Sequence, residues 1–199
     1  MTKTNILKVA TQEFSKYGYD AVSMNKLADK LNINKATIYY HFKDKQSLYQ
    51  EMLKNLLHLN KEISEQIINS DLEPKEKFKE YIKNFIQSVK NNPQIVSISL
   101  RELANLGANV DNSLGDDFEQ EMKDLRAIVL QLNLKDKYKT MDFYELKAVI
   151  LGTINTYYSM QMSHVDVIGI KDFNQNSDDV LNYLNEFISN ILVDALCKD

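Results

Sequence analysis

The stretch Asn34-Lys35-Ala36-Thr37-Ile38-Tyr39-Tyr40-His41-Phe42-Lys43-Asp44-Lys45 decides the fold of this chain. Ile38 and Phe42 stand four positions apart, so a helix places both on one face. The other positions carry lysines, tyrosines, a threonine and a histidine, whose polar groups suit phosphates and base edges. A helix of about seven residues is roughly 10 Å long and fits a major groove about 12 Å wide. The stretch therefore predicts a recognition helix for DNA.

Two more helices are predicted upstream. Ser23 is a candidate N-cap, because the apolar residues after it follow the spacing of one helix face. These residues are Met24, Leu27, Ala28 and Leu31. An earlier apolar stripe ends at Gly18, which tolerates the positive φ found just after a helix. That stripe consists of Ile6, Ala10, Phe14 and Tyr17. With a turn at Asn32-Ile33-Asn34, the pattern predicts a three-helix bundle containing a helix-turn-helix.

Residues 3–48 closely resemble the N-terminal DNA-binding domain of the TetR family of bacterial transcriptional regulators. The resembling segments are Ala10-Thr11-Gln12-Glu13-Phe14, Tyr17-Gly18-Tyr19, Ser23-Met24-Asn25-Lys26-Leu27-Ala28 and residues 35–48. The most specific part is the run Tyr39-Tyr40-His41-Phe42, followed at intervals of three by Lys45 and Leu48. Ala36 departs from the glycine that the family often has.

The resemblance implies roles for individual residues. Three positions at the start of the recognition helix are expected to face base edges or nearby phosphates, and three later positions to hold the DNA backbone. The first three are Lys35, Ala36 and Thr37, and the later three are Tyr40, His41 and Lys45. Ser23 is expected to offer its hydroxyl to a phosphate at a helix N-terminus, and Tyr39 is a further candidate.

The charge of the chain is divided unevenly along its length. Residues 1–50 hold eight lysines and four acids, a net charge of +4, whereas residues 51–199 hold sixteen basic and twenty-four acidic residues, a net charge of −8. This pattern confines attraction for DNA to one end of the chain. Only 5 glycines and 2 prolines, with little strand-like alternation, predict an all-α fold. We expect a DNA-binding domain over 1–47 and a helical regulatory and dimerisation domain over 48–199.

The second domain is predicted to pair with another copy of the chain. Helices at 142–164 and 178–196 carry apolar residues on more than one face, and a helix apolar on two faces must bury both. The resemblance implies the same, since the last two helices of this family usually build a dimeric four-helix bundle. A stripe from Leu48 to Ile67 predicts one continuous helix joining the two domains. We therefore expect a homodimer that binds double-stranded DNA.

Aromatic and polar residues of the second domain are candidates for a pocket that binds a small-molecule inducer. They are Tyr81, Phe85, Arg101, Phe118, Met122, Tyr144, Tyr157, Tyr158, Met160 and His164. The alternative for each aromatic residue is an ordinary place in the core, and for Arg101 an ion pair with Glu102 or Glu145. We expect a ligand-responsive transcriptional regulator, a repressor released from a palindromic operator by the inducer. The alternative is a DNA-binding protein whose C-terminal domain recruits a protein partner.

Catalysis is not expected. The 3 histidines are widely separated, the single cysteine, Cys197, lies near the C-terminus, and neither a phosphate-binding glycine loop nor a metal-ligand spacing is present. No enzyme activity, metal or cofactor is therefore predicted. No apolar run approaches the about 18 residues needed to span a bilayer, and the N-terminus is polar, so we expect a cytoplasmic protein without membrane contact.

Overall fold

The computed structural model describes residues 2–162 and 178–198, which form α-helices, short 3-10 turns and loops without a β-strand. The predicted all-α fold is confirmed. The helices are α1 (Lys3–Tyr17), α2 (Met24–Leu31), α3 (Lys35–His41), α4 (Lys45–Leu57), α5 (Lys61–Ile68), α6 (Pro74–Asn91), α7 (Gln94–Ala104), α8 (Gly115–Val129), α9 (Phe143–Met162) and α10 (Asp178–Leu196).

The chain forms two compact units. The first unit comprises Met1–His58 and Asn92–Asp117, and the second comprises Leu59–Asn91 and Phe118–Asp199. The first unit contains the whole of the predicted DNA-binding domain and adds α4, α7 and the segment that follows α7. It is therefore discontinuous in sequence.

The first unit is built around one hydrophobic core. Helix α1 packs against α2, α4 and α7, and α2 packs against α3. The fully buried side chains include Ile6, Phe14, Leu27, Ile38 and Leu48, and the core extends to Ile98 of α7 and Leu114. Tyr17 is an exception to the predicted stripe of α1, because its side chain is half exposed at the last residue of the helix.

A mid-chain segment is tied to the N-terminal helices by polar contacts within the first unit. The Arg101 guanidinium donates to the carbonyl of Lys16, 3.1 Å away, near the C-terminal end of α1. Asp117 accepts a 2.6 Å bond from the His58 ring and lies 3.3 Å from the Lys54 ammonium. The His58 bond, together with the nearby Lys54 charge, lowers the pKa of the Asp117 carboxyl.

The predicted continuous helix from Leu48 to Ile67 is wrong. Helix α4 ends at Leu57, a 3-10 turn spans His58–Asn60, and α5 begins at Lys61. Leu59 and Ile63, which the spacing places on the buried stripe, are partly exposed. Periodicity alone does not reveal the break, because the turn preserves apolar residues at helical spacing on both sides.

The second unit packs α6 against α5 and α10. Phe78, Ile82 and Val89 of α6 are fully buried, as the spacing of its apolar residues predicts. Buried Lys77 donates from its ammonium to the carbonyl of Ile68, 2.9 Å away, and so satisfies a backbone group at the C-terminal end of α5. Cys197 is buried just beyond α10, and burial raises the pKa of its thiol.

Helices α9 and α10 have the two-faced character that the sequence predicts. In α10, Leu184, Ile188 and Leu192 are buried, while Phe187 and Ile191 remain 51% and 50% exposed. Helix α10 spans the predicted residues 178–196, and α9 begins one residue later than predicted. His164 lies outside the described residues.

Gly18 offers a test of the contact between α1 and α7. Its φ of +82° disfavours any residue with a Cβ, and a Cβ there would lie 3.2 Å from Nη1 of Arg101. We expect Gly18→Ala to lower the free energy of unfolding by about 1–3 kcal/mol, measured by urea denaturation. Gly115→Ala is the matched control, since Gly115 has helical dihedrals and a Cβ added there would meet no atom within 4 Å. Equal stability of the two variants would contradict the expectation.

Candidate nucleic-acid interface and candidate ligand site

A tight turn joins α2 to α3. Asn32 ends α2 in the left-handed conformation, with φ 52° and ψ 48°, and its N–H donates to the carbonyls at the end of that helix. Asn34 then begins α3, since its Oδ1 accepts from the backbone N–H of Ala36 at 2.8 Å. Asparagine suits both places, because it tolerates positive φ and caps helices well. The two asparagines therefore set the angle between the helices.

The buried face of α3 fixes which residues point outward. Ile38 is fully buried and Phe42 is nearly so, as the four-residue spacing predicts. Tyr40 is 85% exposed, and its ring meets the His41 ring edge-on at 5.1 Å. Lys35 and Ala36 are also exposed, and Thr37 and His41 are half-buried. The structure thus brings the predicted residues of α3 together on one solvent-facing surface.

Lysine contacts with aromatic rings organise this surface. The Lys35 ammonium lies 5.3 Å from the centre of the partly exposed Tyr39 ring, so Tyr39 helps to orient the Lys35 side chain. The Lys45 ammonium lies 4.1 Å from the centre of the Tyr19 ring. Partial burial lowers the pKa of Lys45, and the negative charge of nearby Asp20 offsets this shift in part. A lysine held over a ring keeps the N–H donors that point away from the ring for another partner.

Ser23 begins α2 as predicted. Its Oγ accepts from the backbone N–H of Lys26 at 3.2 Å, so the bond uses an oxygen lone pair. The hydroxyl hydrogen stays available to donate to a phosphate. Ser23 is exposed, which leaves that direction open to solvent.

Some lysines of the first unit form ion pairs with acidic side chains of the same unit. Lys30 pairs with Glu13, and Lys3 lies 2.7 Å from Glu51. Lys43, by contrast, is exposed at the turn between α3 and α4. Sequence reasoning did not select Lys43, although it belongs to the basic-aromatic stretch that predicts the recognition helix. We count Lys43 among the candidate DNA contacts.

A buried ammonium lies among the candidate ligand residues of the second unit. The Lys147 Nζ lies 2.8 Å from a Glu121 carboxylate oxygen and 3.1 Å from the Tyr81 hydroxyl, and 5.1 Å from the centre of the Phe85 ring. Burial lowers the pKa of the Lys147 ammonium. Electrostatic attraction by Tyr81 and Glu121, together with the two hydrogen bonds, outweighs burial and raises this pKa. Sequence reasoning missed Lys147, whose signal is the single basic residue of a helix that is otherwise apolar on nearly every side.

Two polar groups on the buried side of α9 lack a hydrogen-bond partner among the described residues. They are the Oδ1 of Asn155, a residue 3% exposed, and the hydroxyl of Tyr158, which is 9% exposed. Burial raises the pKa of Tyr158 to about 12, so the hydroxyl is protonated at neutral pH. Asn155 and Tyr158 stand three positions apart, which places them on the same face of the helix.

The other candidate ligand residues are placed differently. Phe118 and Tyr144 are exposed, and Met122 and Tyr157 are half-buried. Arg101 belongs to the first unit, where it binds the carbonyl of Lys16 rather than Glu102 or Glu145. The structure therefore does not group all the predicted residues into one site.

The described part of the chain contains no group of three or more histidine, cysteine, aspartate or glutamate side chains placed to hold a metal ion. Among residues 2–162 and 178–198, no helix is both long and apolar enough to cross a membrane.

The geometry of α2, the turn and α3 defines a helix-turn-helix protein with an all-helical body. Residues 6–52 match the family model described as bacterial regulatory proteins, tetR family. This match lies in the region where the sequence resembles the TetR family, and that resemblance is confirmed.

Curated relatives match the N-terminal region. An uncharacterized HTH-type transcriptional regulator of Bacillus subtilis (strain 168), YhgD, is 36% identical over 70 residues, which are 35% of this chain and 37% of that protein. IcaR of Staphylococcus aureus (strain Newman), the negative transcriptional regulator of the biofilm operon icaADBC, is 40% identical over 52 residues. That match covers 26% of this chain and 28% of IcaR. The chain thus spans little more than a third of YhgD and less than a third of IcaR.

Solved structures match nearly the whole chain in fold. The transcriptional regulator FadR from Bacillus subtilis, solved in complex with stearoyl-CoA, has a TM-score of 0.72 at 18% identity, and the match covers 98% of this chain and 99% of that one. The ketosteroid transcriptional regulator KstR2 of Mycobacterium tuberculosis has a TM-score of 0.71 at 16% identity, covering 98% and 95%. At these identities the likeness establishes a shared fold.

Proposed function

We propose that this protein is a homodimeric transcriptional repressor that binds a palindromic DNA operator and is released from it by a small molecule. The observation that carries the proposal is the exposed basic and aromatic surface of α3, held outward by buried Ile38 and Phe42. A recognition helix of this kind enters the major groove, and its flanking residues hold phosphates. Such a protein acts in the bacterial cytoplasm, where the chromosome lies, and needs no catalytic centre.

The proposed DNA contacts fall into two classes. Lys35, Ala36 and Thr37 open α3 and face base edges or nearby phosphates, whereas residues around the α3–α4 turn hold the backbone. The proposed backbone contacts are Ser23, Tyr39, Tyr40, His41, Lys43 and Lys45. Repression, rather than activation, is supported by IcaR, which is named as a negative regulator and matches this region at 40% identity.

Replacement of one exposed lysine tests the interface. We expect Lys35→Ala to weaken binding to a duplex that the wild-type protein selects from a randomised pool. If Lys35 contacts a phosphate, the slope of log K against log salt should fall by about 0.9. Lys83→Ala in the second unit is the control, since it removes the same charge from another exposed lysine. Fluorescence anisotropy at several salt concentrations measures both. Equal effects of the two changes would remove Lys35 from the interface.

Dimerisation is supported by an apolar stripe on α10. Tyr183, Phe187 and Ile191 recur at intervals of four and are all half or more exposed in the single chain. The Tyr183 and Phe187 rings stack at 6.1 Å, so they present one continuous surface. Soluble monomers rarely leave such a surface open to water. A second copy related by a two-fold axis would cover it with the same residues.

A charge on this stripe tests the dimer. We expect wild-type protein to have the mass of a dimer in light scattering at micromolar concentration without DNA. Phe187→Asp should give monomers or aggregates, because an unpaired carboxylate is costly to bury in an apolar interface. Asn182→Asp adds the same charge at another exposed position of α10 and should stay dimeric. A monomeric wild-type mass would refute the proposed assembly.

Ligand sensing is supported by two buried polar groups of α9, on Asn155 and Tyr158, that have no hydrogen-bond partner among residues 2–162 and 178–198. A buried polar atom without a partner costs about 1–3 kcal/mol, so its presence calls for an explanation such as a bound molecule. FadR from Bacillus subtilis was solved with stearoyl-CoA, but the likeness to that protein extends only to the fold. We therefore propose a small molecule that hydrogen-bonds to Asn155 and Tyr158, with Tyr81, Phe85 and Lys147 on further interior surface of the second unit.

The same Tyr→Phe substitution at positions 158 and 81 tests whether the Tyr158 hydroxyl lacks the kind of partner that the Tyr81 hydroxyl has. Tyr158→Phe removes a hydroxyl that has no partner among the described residues, so the free energy of unfolding should stay within about 0.5 kcal/mol or rise. Tyr81→Phe removes an acceptor of the Lys147 ammonium and should cost about 1–3 kcal/mol. Urea denaturation measures both. Similar losses in the two variants would show that the Tyr158 hydroxyl is already paired and not available to a ligand.

A further inference from the structure

The start of α4 is joined to the turn that follows α7 by consecutive hydrogen bonds within the first unit. The Tyr19 hydroxyl donates to Oε1 of Gln46 at 2.7 Å, and Nε2 of Gln46 donates to the backbone carbonyl of Asn109 at 3.1 Å. Both ends of the Gln46 amide are therefore used, and each end has a partner of the correct kind. These two hydrogen bonds fix the orientation of the Gln46 side chain, which follows Lys45 in the sequence.

Lys45 lies at one end of these contacts. Its ammonium is 4.1 Å from the centre of the Tyr19 ring, closer than the 5.3 Å between Lys35 and the Tyr39 ring. The Tyr19 ring is itself held, because it packs edge-on against Tyr49 with ring centres 4.9 Å apart. The position of Tyr19 thus determines where the Lys45 ammonium can lie.

The other end of these contacts is a rigid turn, residues 105–111. Leu106 and Gly107 both have positive φ, and the Gly107 N–H donates to the Glu102 carbonyl at 2.8 Å, which closes the end of α7. The Asn109 carbonyl accepts a second bond, from Nε2 of Gln50 at 2.7 Å. The Asn109 side chain donates to Oε1 of Glu102 at 3.1 Å. The turn is therefore bonded both to α7 and to α4.

We infer that Gln46 and Tyr19 are positioning residues for DNA binding, which hold the Lys45 ammonium for a DNA phosphate and tie it to the turn at 105–111. This inference rests on the proposed DNA-binding function. Contact with the ring forms no conventional hydrogen bond, so the N–H groups that point away from the ring stay available to phosphate oxygens. Loss of the hydroxyl–amide bond leaves the Tyr19 ring held by its packing alone, so the ring and the lysine above it are less precisely positioned.

A double-mutant cycle tests this coupling. Gln46→Met keeps the shape of the side chain and removes both hydrogen bonds. We expect it to weaken binding to the selected duplex about fivefold, the effect of losing one ordinary hydrogen bond, and to lower the salt slope. In a Lys45→Ala background the same substitution should have little further effect, because the lysine it positions is absent. Tyr19→Phe, which removes only the hydroxyl, should behave in the same way.

A control distinguishes positioning from a general effect on folding. In a Lys43→Ala background, Gln46→Met should keep its full fivefold effect, since exposed Lys43 stands apart from the Tyr19–Gln46 bond. Circular dichroism and the urea midpoint show whether each variant is folded at the assay temperature. If Gln46→Met does not fold, Tyr19→Phe alone carries the cycle.

The outcomes separate the inference from the function on which it rests. If the wild-type protein selects no duplex, both fail. If it binds DNA but Lys45→Ala leaves affinity unchanged, or if Gln46→Met and Lys45→Ala have additive effects, the proposed function stands and the positioning role is refuted. Non-additivity with Lys45 and additivity with Lys43 would support it.

Discussion

The burial of Ile38 and Phe42 is the constraint on which the exposed basic and aromatic surface of α3 depends. Each buried side chain of this size contributes about 1.5–3 kcal/mol, and a shift of α3 by one residue would rotate both out of the core. Lys35 and Tyr40 therefore point outward because turning the helix would expose apolar surface to water. Asn32 and Asn34 add a second restraint, since they fix where α2 ends and α3 begins.

The first unit shows that the helix-turn-helix bundle of this chain is not assembled from consecutive residues alone. The match to the tetR family model ends at residue 52, yet Ile98 and Leu114 belong to the same hydrophobic core as Phe14. Arg101 supplies a donor to the Lys16 carbonyl at the end of α1, where the last carbonyls of a helix lack partners within it. Helix α7 thus completes the packing of α1, although it lies more than 70 residues further along the chain.

The parts of this structure that were predictable from sequence are those set by local spacing. Helix α3, the asparagine turn before it and the bounds of α10 follow from apolar periodicity and capping residues within a few turns. The break at His58–Asn60 was not predictable, because Leu56, Leu59 and Ile63 continue a helical spacing across it. Arg101 and Lys147 were misjudged or missed, since the residues that satisfy their charge or donors lie 85 and 26 positions away. The DNA contacts and the ligand site remain predictions, because both depend on molecules that the chain's own packing does not reveal.

The interleaving of the two units has a consequence for protein engineering. The chain passes between them three times, after His58, after Asn91 and after Asp117. A hybrid regulator made by joining residues 1–58 to a foreign sensor would lose the mid-chain half of the core around Ile98 and Leu114, and water would reach the surfaces they cover. A chimera that preserves the first unit must carry over two segments, 1–58 and 92–117, at the corresponding positions of the recipient sequence. The two units alternate along the sequence, so a chimera with a single crossover point cannot exchange one unit and keep the other whole.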